Sequence, residues 1–376
     1  MLFWKRRSRA APPAEFDQIF RLSGCFQPES FCSEQNFEVR EENSRVKTKR
    51  HGLLLAVFTL LGIGAAILSL CIGAAWLNPR ELIQAVSEGT ETANGRIFYY
   101  VRLPRTIACL LAGAGLSVAG AVIQNVLANR LASPGMIGVT SGAGLAVTIC
   151  CMLGFLSGGA VAFASFAGAF LSVMLIAVVS CKTNASRSAV ILGGVALNSF
   201  LSAISEAIMS ILPDVGVLTA DFRTGGFSGV SAARLLPAGI MIILGLILVC
   251  SLSNELDLLS MGEETAHGLG LSVTKIRTIF LLLAALLAGA CVSFAGVLGF
   301  VGLIVPNMAR KLTGGESKNL LPMCIVFGAG FVTLCDCIAR TVFAPYEIAT
   351  GIVMSAIGAP FFLYLLFQKK GGHARG

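Results

Sequence analysis

Charge is what this chain has least of. Asp, Glu, Lys and Arg together make up 13% of its 376 residues, against about a quarter in an ordinary soluble domain. That shortage excludes a large water-solvated surface. A G-x-x-x-x-G-K-[ST] segment is also missing. Without it the chain has no loop of the kind that cradles ATP phosphates, and nothing forms a catalytic constellation of the soluble-enzyme type. Cys150–Cys151 and the Cys335/Cys337 pair have no second Cys or His pair at zinc spacing, which argues against a metal centre. Basic residues open the chain at Lys5 to Arg9, but no apolar core follows them at once, which argues against a cleavable signal peptide.

What is present is apolar. Hydrophobic residues account for 55%, with 42 glycines and 24 phenylalanines. Apolar runs near or above ~18 residues recur along the chain, as in polytopic helical membrane proteins. Ten segments are expected to lie in the bilayer: 53–76, 102–127, 134–152, 161–180, 188–212, 235–252, 276–297, the interrupted "GVLGFVGLIVPNMARKLTGG", 320–340 and 348–367. The interrupted one is short and carries Pro306; such backbone is tolerated only beside protein or a cavity. Twelve cysteines mostly sit singly in these runs, as small buried hydrophobes.

The pI near 9.0 does not imply nucleic acid. Lys47, Lys49, Arg50, Lys182, Arg187, Lys275, Arg277, Arg310, Lys311, Lys318, Lys369 and Lys370 all flank one set of segment ends. The positive-inside rule makes that side cytoplasmic and leaves both termini inside. Residues 1–50 then read as a partly disordered cytoplasmic extension, 51–368 as the membrane domain and 369–376 as a cytoplasmic tail. Arg80, Arg96, Arg102, Arg105, Arg223, Arg234 and Arg340 fall on the outer side, where topology alone does not place them.

Several stretches carry a resemblance. They are "RLPRTIACLLAGAGLSVAGAVIQNVLANRLASPGMIGVTSGAG", "LGGVALNSF", "LLSMGEETAHGLGLSV", "SFAGVLGFVGLIVPNMAR", "CDCIAR" and "EIATGIVMSAIGAPFFLYLL". In this order they resemble the FecCD family of ABC importer permeases, the membrane subunits for iron–siderophore, haem and vitamin B12 uptake. The resemblance runs from about residue 53 to 368. It implies an all-α polytopic fold of about ten transmembrane helices, BtuC-like, in a homodimer. Two cytoplasmic ATPase subunits and an extracytoplasmic binding protein would complete the importer. ATP would be used by the partner ATPase, with no cofactor or metal bound by this chain. The favoured cargo is an iron–siderophore complex; haem and cobalamin remain alternatives, as does a secondary transporter acting alone on ion gradients.

The resemblance also assigns residues. "GEETAHGLG" would be the helix that couples to the ATPase. Gly262 opens it and Gly270 stops it, Ala266 and Leu269 give an apolar contact, and Glu263 and Glu264 form a charged rim. Arg102, Arg105 and Arg340 would dock the binding protein. Their alternatives are lipid-headgroup contact for Arg105 and, for Arg340, pairing with Asp336 one turn earlier. Gln124, Asn125 and Asn129 would sit at the inner mouth, where they either cap broken helices or touch cargo. Glu206 either faces the path or bonds a neighbouring serine and water. Gly113, Gly115 and Gly120 allow close helix packing. Asn307 stands where the family commonly has histidine, so it can bond locally but not titrate near neutrality.

Overall fold

The computed structural model describes residues 34–73, 79–183 and 185–368. Of the expected extension only 34–50 falls among them, and the tail 369–376 lies outside. Residues up to Leu53 and residues from Leu54 onward form two separate units; the second holds the helical bundle.

Among the described residues the regular structure is helical. Each of the ten expected segments falls on a helix: α1 (Glu34–Cys71), α4 (Leu103–Val126), α5 (Val139–Met152), α6 (Gly158–Thr183), α7 (Arg187–Ile211), α9 (Ala232–Ser251), α12 (Val273–Ala295), α13 (Val301–Thr313), α14 (Ser317–Thr341) and α15 (Thr350–Gln368). Shorter helices fill the connections: α2 (Pro79–Glu88), α3 (Ala93–Ile97), α8 (Pro213–Thr224), α10 (Ser253–Ser260) and α11 (Glu263–Gly268).

Seven of these helices, not ten, are long and apolar enough to cross a membrane: α1, α4 with its lead-in from Ala93, α6, α7, α9, α12 and α14. The correction is one of length. α5 has 14 residues and α13 has 13. At 1.5 Å per residue these reach only about 20 Å, short of a hydrocarbon core of about 30 Å. The described apolar stretch of α15, Thr350–Tyr364, is likewise short.

α4 is the packing centre. It lies against α14, α12, α13 and α9, and 83% of its apolar window is buried. Pro104 in its first turn pre-sets the backbone for a helix. The run from Thr106 to Ile123 carries no charge. Small residues let the neighbours come to backbone contact: a Cβ at Gly113 would collide with the carbonyl of Gly328 on α14, and one at Gly120 with that of Gly302 on α13. Without a hydrophobic drive between helices in lipid, such close van der Waals packing holds the bundle.

The helices break where α12 gives way to α13, and the broken backbone is stitched across the fold. Val297 N donates to Phe222 O (2.9 Å), Gly226 N to Ala295 O (2.8 Å) and Gly351 N to Gly225 O (3.0 Å). Three chain segments thus satisfy one another's main-chain groups, which interrupted helices inside a membrane require. Phe300, with φ 64°, turns the chain into α13.

Candidate functional site

The sequence points to four places, and the structure treats each differently. At the start of α4 the three arginines are drawn inward. Arg102, Arg105 and Arg340 are 5%, 7% and 4% exposed. Arg102 donates to the carbonyls of Leu70 and Cys71, both at 2.7 Å, capping carbonyls at the end of α1. Arg105 forks onto Asp336, with Nη2 to Oδ1 at 3.0 Å, and reaches Glu347 Oε2 at 2.8 Å. Arg340 donates to Ser69 Oγ (2.8 Å) and Ile72 O (2.9 Å). Its Nε lies 3.0 Å from Asp336 Oδ2 but off the line of a hydrogen bond, so that contact is ionic. Thr350 completes the set with a hydroxyl donated to Asp336 Oδ1 at 2.9 Å. All three arginine side chains are thus engaged within the protein. Asp336 is fully buried and needs their charge, and the pairing of Arg340 with Asp336 is the reading that fits.

At the other end of α4 the amides are also engaged. Gln124 and Asn125 are buried. Arg310 of α13 donates from Nη1 to Gln124 Oε1 and from Nη2 to Asn125 Oδ1 (2.7 Å). Gln124 Nε2 donates to Gly302 O (3.2 Å), and Asn125 Nδ2 to Ser317 Oγ (3.3 Å). Asn129 accepts the N–H of Leu131 at 2.9 Å, shaping the turn. Asn307 bonds as its side chain allows, to Leu303 O (2.8 Å) and Arg130 O (3.0 Å). These amides tie helix ends together. The sequence marks Arg310 only as a basic flank, and nothing in "NMARK" shows which amides it would meet.

The "GEETAHGLG" loop forms the short helix α11. Gly262 (φ 121°) and Gly270 (φ 85°) bracket it in backbone that side chains rarely adopt. Glu263 Oε1 lies 3.2 Å from both Arg187 Nε and Arg277 Nη2, so this partly exposed carboxylate ties α11 to two other helices. Ala266 is fully buried within the chain, so its face of α11 turns onto its own protomer. Leu269 at 62% exposed and Met261 at 68% are the apolar groups left outward, with Glu264 exposed beside them.

The fourth place is the face shared by α5 and α7. Only 17% of the apolar window of α7 is buried, yet this helix carries Asn198, Ser202 and an exposed Glu206, one turn apart. Thr140, Ser141 and Thr148 of α5, Arg223 of α8 and Val297 join them around a cavity of about 230 Å³. A carboxylate against hydrocarbon is costly, and here Glu206 shares the cavity with Arg223 and with hydroxyl and amide groups. The neighbouring serine Ser205 donates its hydroxyl to Leu201 O, and both Ser205 and Glu206 line the cavity.

The comparisons with known proteins agree with this architecture. A model of the FecCD transport family matches residues 60–368. The chain is 36% identical over 323 residues to the Fe(3+)-citrate import system permease protein YfmE of Bacillus subtilis, spanning 85% of this chain and 96% of the relative. It is 34% identical to the iron(3+)-hydroxamate import system permease protein FhuG of the same organism, over 86% and 99%. To the vitamin B12 import system permease protein BtuC of Salmonella paratyphi A it is also 34% identical, over 86% and 98%. A solved structure of a metal-chelate type ABC transporter in an inward-facing conformation superposes with a TM-score of 0.75 at 30% identity, covering 84% of this chain and 99% of that one. The fold is that of an all-α, multi-pass, BtuC-like ABC permease.

Proposed function

This chain belongs to the FecCD transport family, and from that premise we propose that it is the membrane permease of an ATP-driven importer for iron(III)–siderophore chelates. Two copies enclose the path, two cytoplasmic ATPase chains drive it from the α11 side, and an extracytoplasmic binding protein delivers cargo. Both termini lie in the cytoplasm. The observation that carries the reading is the polar-lined cavity between α5 and α7. Hydroxyl, amide and carboxylate groups line a cavity on a helix that otherwise shows apolar side chains outward. Such a surface offers many weak hydrogen bonds and no deep grip, which suits a chelate that must enter and leave.

Iron is favoured because two relatives are permeases for iron(III) chelates. Cobalamin is the second reading, since identity to the vitamin B12 permease equals that to the hydroxamate permease. The test is uptake by proteoliposomes holding the permease, its ATPase and its binding protein, offered ferric hydroxamates, ferric citrate, haem and cobalamin. ATP-dependent accumulation of an iron chelate is the expected result. Accumulation of cobalamin or haem alone overturns the cargo, and accumulation without ATP overturns the mechanism. Glu206→Leu should slow uptake several-fold in the same vesicles while complex assembly holds.

A further inference from the structure

The Gln124–Asn125 pair binds α4 to two other helices. Gln124 holds α13 near its start through Gly302 O, and Arg310 near the end of α13 forks onto both amide oxygens. One dipeptide therefore grips the short helix at two points eight residues apart. From Asn125 the chain of bonds continues to Ser317 Oγ at the first residue of α14. The N–H of Ser317 is taken by both carboxylate oxygens of Asp257, at 2.9 and 3.1 Å. Asp257 sits on α10, which runs through Met261 and Gly262 directly into α11. At the far side, α13 begins just after the break at 296–300, and Val297 lines the Glu206 cavity. Hydrogen bonds thus join α10, the start of α14, the end of α4 and both ends of α13, and the main chain alone continues from α10 into α11 and from α13 back to Val297.

We infer that Arg310 is the positioning residue through which displacement of α11 is carried to α13 and so to the path. This rests on the proposed reading of α11 as the ATPase contact. A guanidinium is the group that fits: its two parallel donors hold two amide oxygens at once, whereas an ammonium is a point charge that cannot bridge them in one plane. Rigid short elements held at both ends move as units, and a contiguous bonded network earns the name of a coupling route only by a coupling measurement.

The measurement is the ratio of ATP hydrolysed to cargo accumulated, in proteoliposomes of the full complex with saturating binding protein. Arg310→Lys keeps the charge and loses the fork. Hydrolysis by the partner chain should persist while uptake falls by about tenfold, within the usual range of coupling between sites, so the ratio rises. A static staple would lower assembly, hydrolysis and uptake together and leave the ratio unmoved, which overturns the inference, as does a wild-type ratio with wild-type rates. If Arg310→Lys does not assemble, Ser317→Ala cuts the same route one link away, and the same two outcomes decide. Failure of the functional reading looks different: the wild-type complex itself would carry no cargo on ATP.

Discussion

Asp336 shows how one side chain organises an end of the bundle. It stands in "LCDCIAR", inside an apolar helix, with no exposed surface. Arg105, Arg340 and Thr350 converge on it from three helices. Removing one partner of a buried ionic set leaves the others uncompensated. Asp336→Ala should therefore cost about 3–5 kcal/mol, whereas replacing a whole set with apolar side chains is often neutral or stabilising. Thermal unfolding of the purified permease in detergent checks this, comparing Asp336→Ala with Asp336→Leu combined with Arg105→Met and Arg340→Met. The triple variant should recover most of the lost stability. A single variant as stable as wild type would mean that the buried charges are solvated by something else.

At the level of the element, α11 divides by face. Ala266→Asp puts a charge where there is no exposed surface, so the permease itself should lose stability. Leu269→Asp changes an outward group and should leave permease stability unchanged while stripping the ATPase in co-purification. Equal behaviour of the two variants would show the faces to be wrongly assigned. The sequence makes α11 legible because glycines mark both its ends and acidic residues stand on a basic side. It does not show which glutamate pairs within the chain. Glu263 meets Arg187 and Arg277 from other helices, and no spacing rule reaches that far. The same limit hides the fate of Arg105: its carboxylate partner is 231 positions away. Arg340 and Asp336, four apart on one helix, are readable from spacing alone. Segment positions are legible too, since hydropathy is local. Their lengths are not, because Pro134 and the break at Gly296 to Phe300 shorten helices whose apolar character continues through the interruption.

For the molecule as a whole, topology is the prediction on which the functional roles depend. A cysteine introduced at Ser87, exposed on α2, should react with an impermeant maleimide added outside intact cells. One at Gly314, exposed at the end of α13, should react only after the membrane is opened. Both need a background without reactive native thiols. The reverse pattern would turn the importer around and detach every assignment made for α11 and for the cavity beside Glu206. The junction of 222–226, 295–297 and 351 has a consequence of another kind. Its bonds run from main chain to main chain, so they read no side chain. The constraint falls on what must be absent: a Cβ at Gly225, Gly296 or Gly351 would run into the carbonyl of Val297, Phe222 or Thr224. Substitution elsewhere along these segments leaves the junction's bonds as they are. The lining of the cavity next to it is thus free to be rewritten without dismantling the joint beside which it is built.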